Sequence, residues 1–181
     1  MLISILVALA VIVAGFIIVV AMQPANFCIT RSATIPAPAE ALYEEVNDFH
    51  NWQAWSPWAK MDPTAKNTFE GAPSGVGAVF KWEGNNQVGQ GGMTILESRP
   101  HQLIRIKLEF LKPFKATHTA EFTFNPSGDQ TVVTWSMSGT NNFMSKAVVL
   151  IMNCDKMVGG QFEKGLANLK SVVASETAAR F

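Results

Sequence analysis

The sequence predicts an α+β fold: a curved antiparallel sheet against a long C-terminal helix, preceded by an N-terminal transmembrane helix. Three observations carry this. Residues 2–22 are apolar and uncharged, residues 66–141 alternate apolar and polar side chains, and from about Ser145 to Ser175 the apolar spacing becomes helical. A chain of 181 residues has room for one domain and an attachment. We read an anchor over residues 1–23 and a domain over residues 24–181. With 14 basic and 14 acidic side chains the formal charge is zero, so no electrostatic case exists for a nucleic-acid partner. All of those charges lie after residue 30.

The first element is "LISILVALAVIVAGFIIVVAM", Leu2 to Met22, interrupted only by Ser4 and Gly15. As a helix it spans roughly 30 Å, enough for the hydrocarbon core of a bilayer. A cleaved signal peptide fits less well. The apolar run exceeds the usual core of roughly 7–15 residues, no basic residue precedes it, and no small-x-small site follows. A buried core helix would need partners on every face. Cys28 raises a lipoprotein reading, but bulky Phe27 before it disfavours such processing. Cys28 and Cys154 imply neither a disulfide framework nor a metal site.

After a joint at Gln23–Asn26, "FCITRSATI" reads as a strand and "PAPAE" starts a helix, with Pro38 in its first turn. "AEALYEEVNDF" sets Leu42, Val46 and Phe49 at helical spacing. "NWQAWSPW" follows, with Pro57 barring continuation. In the alternating region, "VGAVFKWEG" puts Ala78, Phe80 and Trp82 on one face, and "GNNQVGQGG" reads as a connector ahead of the strand "MTILES". "LIRIKLEF" puts Ile104, Ile106, Leu108 and Phe110 inward. "ATHTAEFTF" does so with His118, Ala120, Phe122 and Phe124, and "TVVTWSM" with Val133, Trp135 and Met137. Turns at "LKPF" and "NPSGD" join hairpins. The last element is one long amphipathic helix striped by Val148, Ile151, Val158, Phe162, Leu166, Leu169 and Val173. A curved sheet folded round one helix leaves space wherever inward side chains fail to fill it, and small apolar ligands bind in such space.

"RSATIPAPAEALYEEVNDFHNWQAWSPW" and "MVGGQFEKGLANLK" resemble the START-like, polyketide cyclase/dehydrase and lipid-transport (SRPBCC) superfamily. The first stretch looks like that group's strand, proline-punctuated helix and Trp-rich segment, and the second like its terminal helix. The similarity covers about residues 27–173 and implies the helix-grip fold. It implies no activity, because the superfamily includes carriers, receptors, cyclases and hydrolase-like members with no shared catalytic motif.

Trp52, Trp55 and Trp58 have two readings: a plug closing the sheet–helix sandwich, or the rim of a cavity, where an indole offers apolar surface with a polar N–H. Asp155 falls on or beside the helix stripe. It is either an internal carboxyl of raised pKa, fit for acid–base work, or a flanking group that meets Lys81, another cation or water. His118 shares the inward parity of Phe122 and reaches either a cavity or a strand end, while His50 and His101 lie in turn-like contexts. The glycines of "GAPSGVGAVF" and "GQGGM" precede strands, so they read as turns and bulges and not as phosphate loops. No serine sits in a G-x-S-x-G elbow and no His/Cys/carboxylate set has metal spacing, so we assign no catalytic residue, metal or cofactor.

The leading expectation is a single-pass membrane protein that binds a small lipophilic molecule between sheet and terminal helix. Phe80, Trp82, Ile106, Phe122, Trp135 and Phe162 build the inward face, and Asp155 or His118 supplies polar contacts. Two alternatives stand beside it: a cyclase/dehydratase-type enzyme using an internal acid or base, and a filled domain serving protein contacts. The charge pattern leaves the side of the membrane nearly silent, with a slight lean to the exterior, and says nothing of oligomeric state.

Overall fold

A computed structural model describes residues 2–151 and 153–179, with the side chains of Ile151, Thr177 and Ala179 outside the description. The side chain expected at stripe position Ile151, and the ends of the two expected segments, Met1 and residues 180–181, therefore lie outside the description. Helix α1 spans Leu2–Met22, strand β1 Asn26–Ile35, α2 Ala39–Asn47 and α3 Trp52–Trp55. Six strands follow: β2 Lys66–Gly71, β3 Ala78–Glu83, β4 Gln90–Arg99, β5 Leu103–Lys112, β6 Ala116–Ser127 and β7 Gln130–Thr140. Helices α4, Phe143–Ile151, and α5, Cys154–Ala179, close the chain.

The strands form one antiparallel sheet in the order β1-β7-β6-β5-β4-β3-β2. Five consecutive hairpins generate most of it, and only β1 crosses, pairing with β7 so that Arg31 lies opposite Trp135. The inward parity expected for β3, β5, β6 and β7 is the parity observed: Phe80, Ile104, Ile106, Ala120, Phe122, Val133 and Trp135 are all buried. They meet Phe162, Leu166, Leu169 and Val173 of α5 in one hydrophobic cluster. The architecture is the helix-grip fold, with α5 held in the curve of the sheet.

Three boundaries differ from the sequence reading. The terminal helix is two helices, because asparagines cap each. Asn142 Oδ1 accepts the Ser145 N–H at 2.8 Å and Asn153 Oδ1 accepts the Lys156 N–H at 2.9 Å. In both, the acceptor lies three residues before the donor, the usual N-cap geometry. Val148 consequently sits on α4 and is 37% exposed, off the buried stripe of α5. Strand β4 begins at Gln90, inside the expected connector, because Gly91 and Gly92 pair with β3. A Cβ at Gly91 would run into the ring of Trp82, so the glycine lets that indole lie across its neighbour. Strand β6 runs on to Ser127, leaving only Gly128 and Asp129 as the turn into β7. Gly128 takes φ +60°, which favours glycine at that tight reversal.

Candidate functional site: a hollow between sheet and helix

The tryptophan segment is fastened to α2 before it meets anything else. The last carbonyls of a helix lack internal partners. Trp52 Nε1 donates to the Val46 carbonyl oxygen at 2.9 Å and Trp55 Nε1 to that of Glu45 at 3.3 Å. Both indoles are buried, and Asn168 Nδ2 of α5 donates to the Trp55 carbonyl oxygen at 3.0 Å. Trp52 and Trp55 thus close one end of the sandwich. Trp58, beyond Pro57, is half-buried and edge-on to Trp135 and Phe162. Trp55 is plug alone and Trp58 rim alone, while Trp52 both closes the end and lines the neighbouring hollow.

Between the sheet and α5 lies a hollow of about 280 Å³. Of the residues expected there, Trp52, Trp58, Phe80, Trp82, Trp135 and Phe162 line it. Trp55, Ile106 and Phe122 do not; they are fully buried in the cluster behind it. The sequence reading passed over several lining residues: Ala120 and Met137 on the sheet, Val158 on α5, and the polar side chains of Asp62, Asn67 and Gln87. Ala120 and Met137 had the correct parity; their small size and flexibility, which leave the space open, were the available signal. Asp62, Asn67 and Gln87 come from irregular connections or an edge strand, where periodicity carries no information.

Trp135 is the most constrained ring in the wall. It stacks on Phe162 with centroids 4.2 Å apart and planes 11° apart, and on Phe122 at 4.7 Å. A Cβ at Gly165 would press on its Cζ3, so the glycine allows α5 to approach the ring edge. Although Trp135 is only 3% exposed, its Nε1 has no hydrogen-bond partner among the described residues. Two other polar groups of the wall, on Trp82 and Asp62, are committed. Trp82 Nε1 donates to the Val88 carbonyl oxygen at 3.0 Å. Asp62 accepts from the Thr64 hydroxyl at 2.7 Å and from the Asn85 N–H at 2.7 Å, which holds its carboxyl below the usual range.

His118 and Asp155 lie elsewhere. Both border a second hollow of about 640 Å³ bounded by α4, β1 and the β5–β6 hairpin, which shares Phe110, Met137 and Val158 with the first. The His118 ring packs edge-on against Phe27 at 5.0 Å and fits over Gly139, where a Cβ would collide with its Nδ1. Burial lowers its pKa, and Nδ1 finds no partner among the described residues. The Asp155 side chain is 63% exposed and pairs with Arg31 Nη2 at 2.9 Å. The cation it meets is therefore Arg31, not Lys81, which pairs with Glu70. Hydrogen bonding by the Arg31 guanidinium holds the Asp155 carboxyl below its ordinary value, opposite to the raised pKa of an internal acid. Arg31 also donates to Glu163 at 2.7 Å, so the one cation of β1 clamps the edge strand to α5. Among the described residues no three His, Cys, Asp or Glu side chains gather as a metal site would require.

This wrapped sheet, gripping helix and apolar hollow define a helix-grip protein of the SRPBCC type. The chain belongs to the polyketide cyclase / dehydrase and lipid transport family, whose model matches residues 26–174. Among solved structures it is similar to protein MLL2253 from Mesorhizobium loti, at 16% identity over 83% of this chain and 98% of that one, with a TM-score of 0.61. Protein CV1439 from Chromobacterium violaceum gives 16% identity over 83% and 98% of the two chains and a TM-score of 0.57. The di-domain ARO/CYC StfQ from the steffimycin biosynthetic pathway gives 11% identity over 85% of this chain and 52% of that one, with a TM-score of 0.61. At these identities the likeness establishes the fold. No curated protein gives a significant match.

Proposed function

We propose that the protein binds a small lipophilic molecule in the hollow between the sheet and α5, held at a membrane by α1 as a single-pass anchor. The observation that carries this reading is the hollow itself, about 280 Å³ with an aromatic and aliphatic wall. A pocket of that character is the usual receptor for an apolar ligand. The family description names lipid transport beside cyclase and dehydrase activity. The site favours binding over catalysis. Acid–base chemistry needs a titratable group free to reach its proton, and Asp62 is engaged by Thr64 and Asn85.

The anchor reading is supported by α1, whose 21 residues carry no charge. It is the one helix among the described residues long and apolar enough to cross a membrane. Its C-terminal end packs beside α4, where Lys146 Nζ donates to the Ala21 carbonyl oxygen at 3.4 Å. Around that junction Phe114, Met144, Val148 and Val149 stay exposed while bordering the second hollow, an apolar surface suited to lie near lipid. For the side of the membrane we lean to the exterior, because a short uncleaved N-terminal anchor commonly acts as an export signal.

The test is extraction. Ala120→Leu puts an isobutyl branch where a methyl faces the hollow. Organic extracts of the full-length protein and of this variant, purified identically, are compared by mass spectrometry. Lipids held by α1 are common to both. A lipophile enriched in the wild type alone supports the reading, and identical extracts oppose it.

A further inference from the structure

We propose that α4 and the β5–β6 turn form a second membrane contact, seated on a leaflet of anionic lipid where α1 leaves the bilayer. This rests on α1 being a membrane anchor. It goes beyond that reading by giving the folded domain an interfacial face and by naming the headgroup charge that the face takes.

Strand register brings the parts to one end of the sheet. Asn26, at the start of β1, lies opposite Thr140, which only Asn141 and Asn142 separate from α4. Gly139 lies opposite His118 near the start of β6, and Ala116 opposite Phe110 near the end of β5. The turn at residues 111–115 therefore shares this end with α4 and with the exit of α1, while the β6–β7 turn lies at the other end. Depth follows from length. Helix α1 spans roughly 30 Å, the thickness of a hydrocarbon core, so Met22 marks the surface of that core. Helix α4 packs against α1 there, and Lys146 Nζ donates to the Ala21 carbonyl oxygen at 3.4 Å. That bond holds α4 at headgroup depth.

Both elements have the chemistry of that depth. Helix α4, "FMSKAVVLI", carries no acidic residue and exposes Phe143, Met144, Val149 and Leu150. The turn exposes Leu111 and Phe114. A helix of this kind lying in the interface plane buries apolar groups at the boundary of headgroup and acyl chain.

Lysines border the apolar group: Lys112 and Lys115 flank Phe114, Lys146 is on α4, and Lys156 lies in the first turn of α5. None of the four has an ion-pair partner among the described residues. The neighbouring carboxylates are engaged, Asp155 by Arg31 and Glu109 by Lys107. Glu83, two strands from the end of β5, is left against the four lysines. The formal charge of the chain is zero, but its distribution makes this end basic. Each lysine near an anionic surface strengthens binding by about fivefold. A second copy docking through the same face would set lysine against lysine. The contact is with the leaflet at which α1 ends, on whichever side the domain sits.

The experiment reads depth. Nitroxide labels are placed singly at Met144→Cys, Phe114→Cys, Val11→Cys in α1 and Asp129→Cys in the β6–β7 turn, in the full chain carrying Cys28→Ser and Cys154→Ser. Each protein is held in lipid nanodiscs, one chain per disc, made of phosphatidylcholine alone or mixed with phosphatidylglycerol. Collisions with oxygen, concentrated in lipid, are compared with collisions with a nickel chelate, confined to water. In anionic discs we expect labels 144 and 114 to favour oxygen and label 129 to remain aqueous. The ratio of docked to undocked domain should fall at least about tenfold in neutral discs, and likewise on combining Lys112→Gln with Lys115→Gln. Label 11 in lipid with labels 144 and 114 aqueous in both discs overturns the docked face and leaves the anchor standing. Equal depth in neutral and anionic discs overturns the assigned lipid charge. Labels 144 and 114 shielded from both reagents would mean burial against protein, which also overturns the inference. Label 11 outside lipid overturns the anchor reading and this inference together.

Discussion

At the scale of single residues, the two candidates with acid–base character behave in different ways. Asp155 is solvent-facing and engaged by Arg31, and His118 borders the outer hollow instead of the inner one. For a binding protein we expect Asp155→Asn and His118→Ala to leave affinity for 2-undecanone essentially unchanged, as measured by titration. The Asp155 change should alter stability little, because the pair with Arg31 is solvent-exposed and screened. A strong loss of affinity in both would revive the internal acid–base reading. A residue whose protonation bears on stability is Glu45 on α2, only 7% exposed. Burial, reinforced by the charges of Glu176, Asp48 and Glu44, pushes its pKa from 4.5 up to about 7. The folded state therefore holds the proton more tightly than the unfolded chain, and stability falls as pH rises from about 4.5 to about 7, then levels. Urea midpoints at pH 5 and pH 8 should show wild type losing roughly 2 kcal/mol more than Glu45→Gln over this interval. Equal losses would show that Glu45 is not the source. Nothing in "AEALYEEVN" marked Glu45 as buried, because its exposure is decided by the helix's tilt on β5, β6 and α5, which a periodicity cannot see.

At the scale of elements, the sheet was legible because period-two alternation reports directly which face is dry. Of the inward sets of β5, β6 and β7, Ile104, Ile106, Ala120, Phe122, Phe124, Val133, Trp135 and Met137 are buried, while Leu108, Phe110 and His118 stay partly open beside the hollows. What escaped were places where polar side chains and glycines redirect the backbone. Asn142 and Asn153 cap separate helices where apolar spacing alone suggested one. Gly91, read as part of a turn, is a strand residue needed by the indole across from it. The site was legible only in part for a related reason. Aromatic bulk in "NWQAWSPW" and on β3 and β7 pointed to the wall, whereas the small side chain that leaves the room, Ala120, is silent in any count of hydrophobic matter. Helix α1 carries its own expectation. If it is an uncleaved anchor, protein recovered from carbonate-washed membranes should give the mass of the whole chain, and a mass lacking residues before about Asn26 would make α1 a signal sequence.

At the scale of the whole molecule, the apolar helix α1, an exposed apolar junction and two adjoining hollows lie along one path. Helix α1 ends beside α4, α4 borders the outer hollow, and the outer hollow shares Phe110, Met137 and Val158 with the inner one. A lipophile leaving a bilayer would meet mostly apolar surface, with polar side chains such as Asn141 and Asp155 in the outer hollow and Asp62 and Asn67 in the inner one. Such an arrangement needs no charge complementarity, in keeping with a chain of 14 basic and 14 acidic side chains. All of it depends on the inner hollow being able to receive a molecule. The most direct measurement is a titration of full-length protein in nanodiscs with 2-undecanone, run beside Ala120→Leu. We expect saturable binding at one site in the wild type, weakened at least about tenfold in Ala120→Leu, while the two proteins unfold within about 1.5 kcal/mol of each other. Equal binding by both, or none by either, would contradict the account.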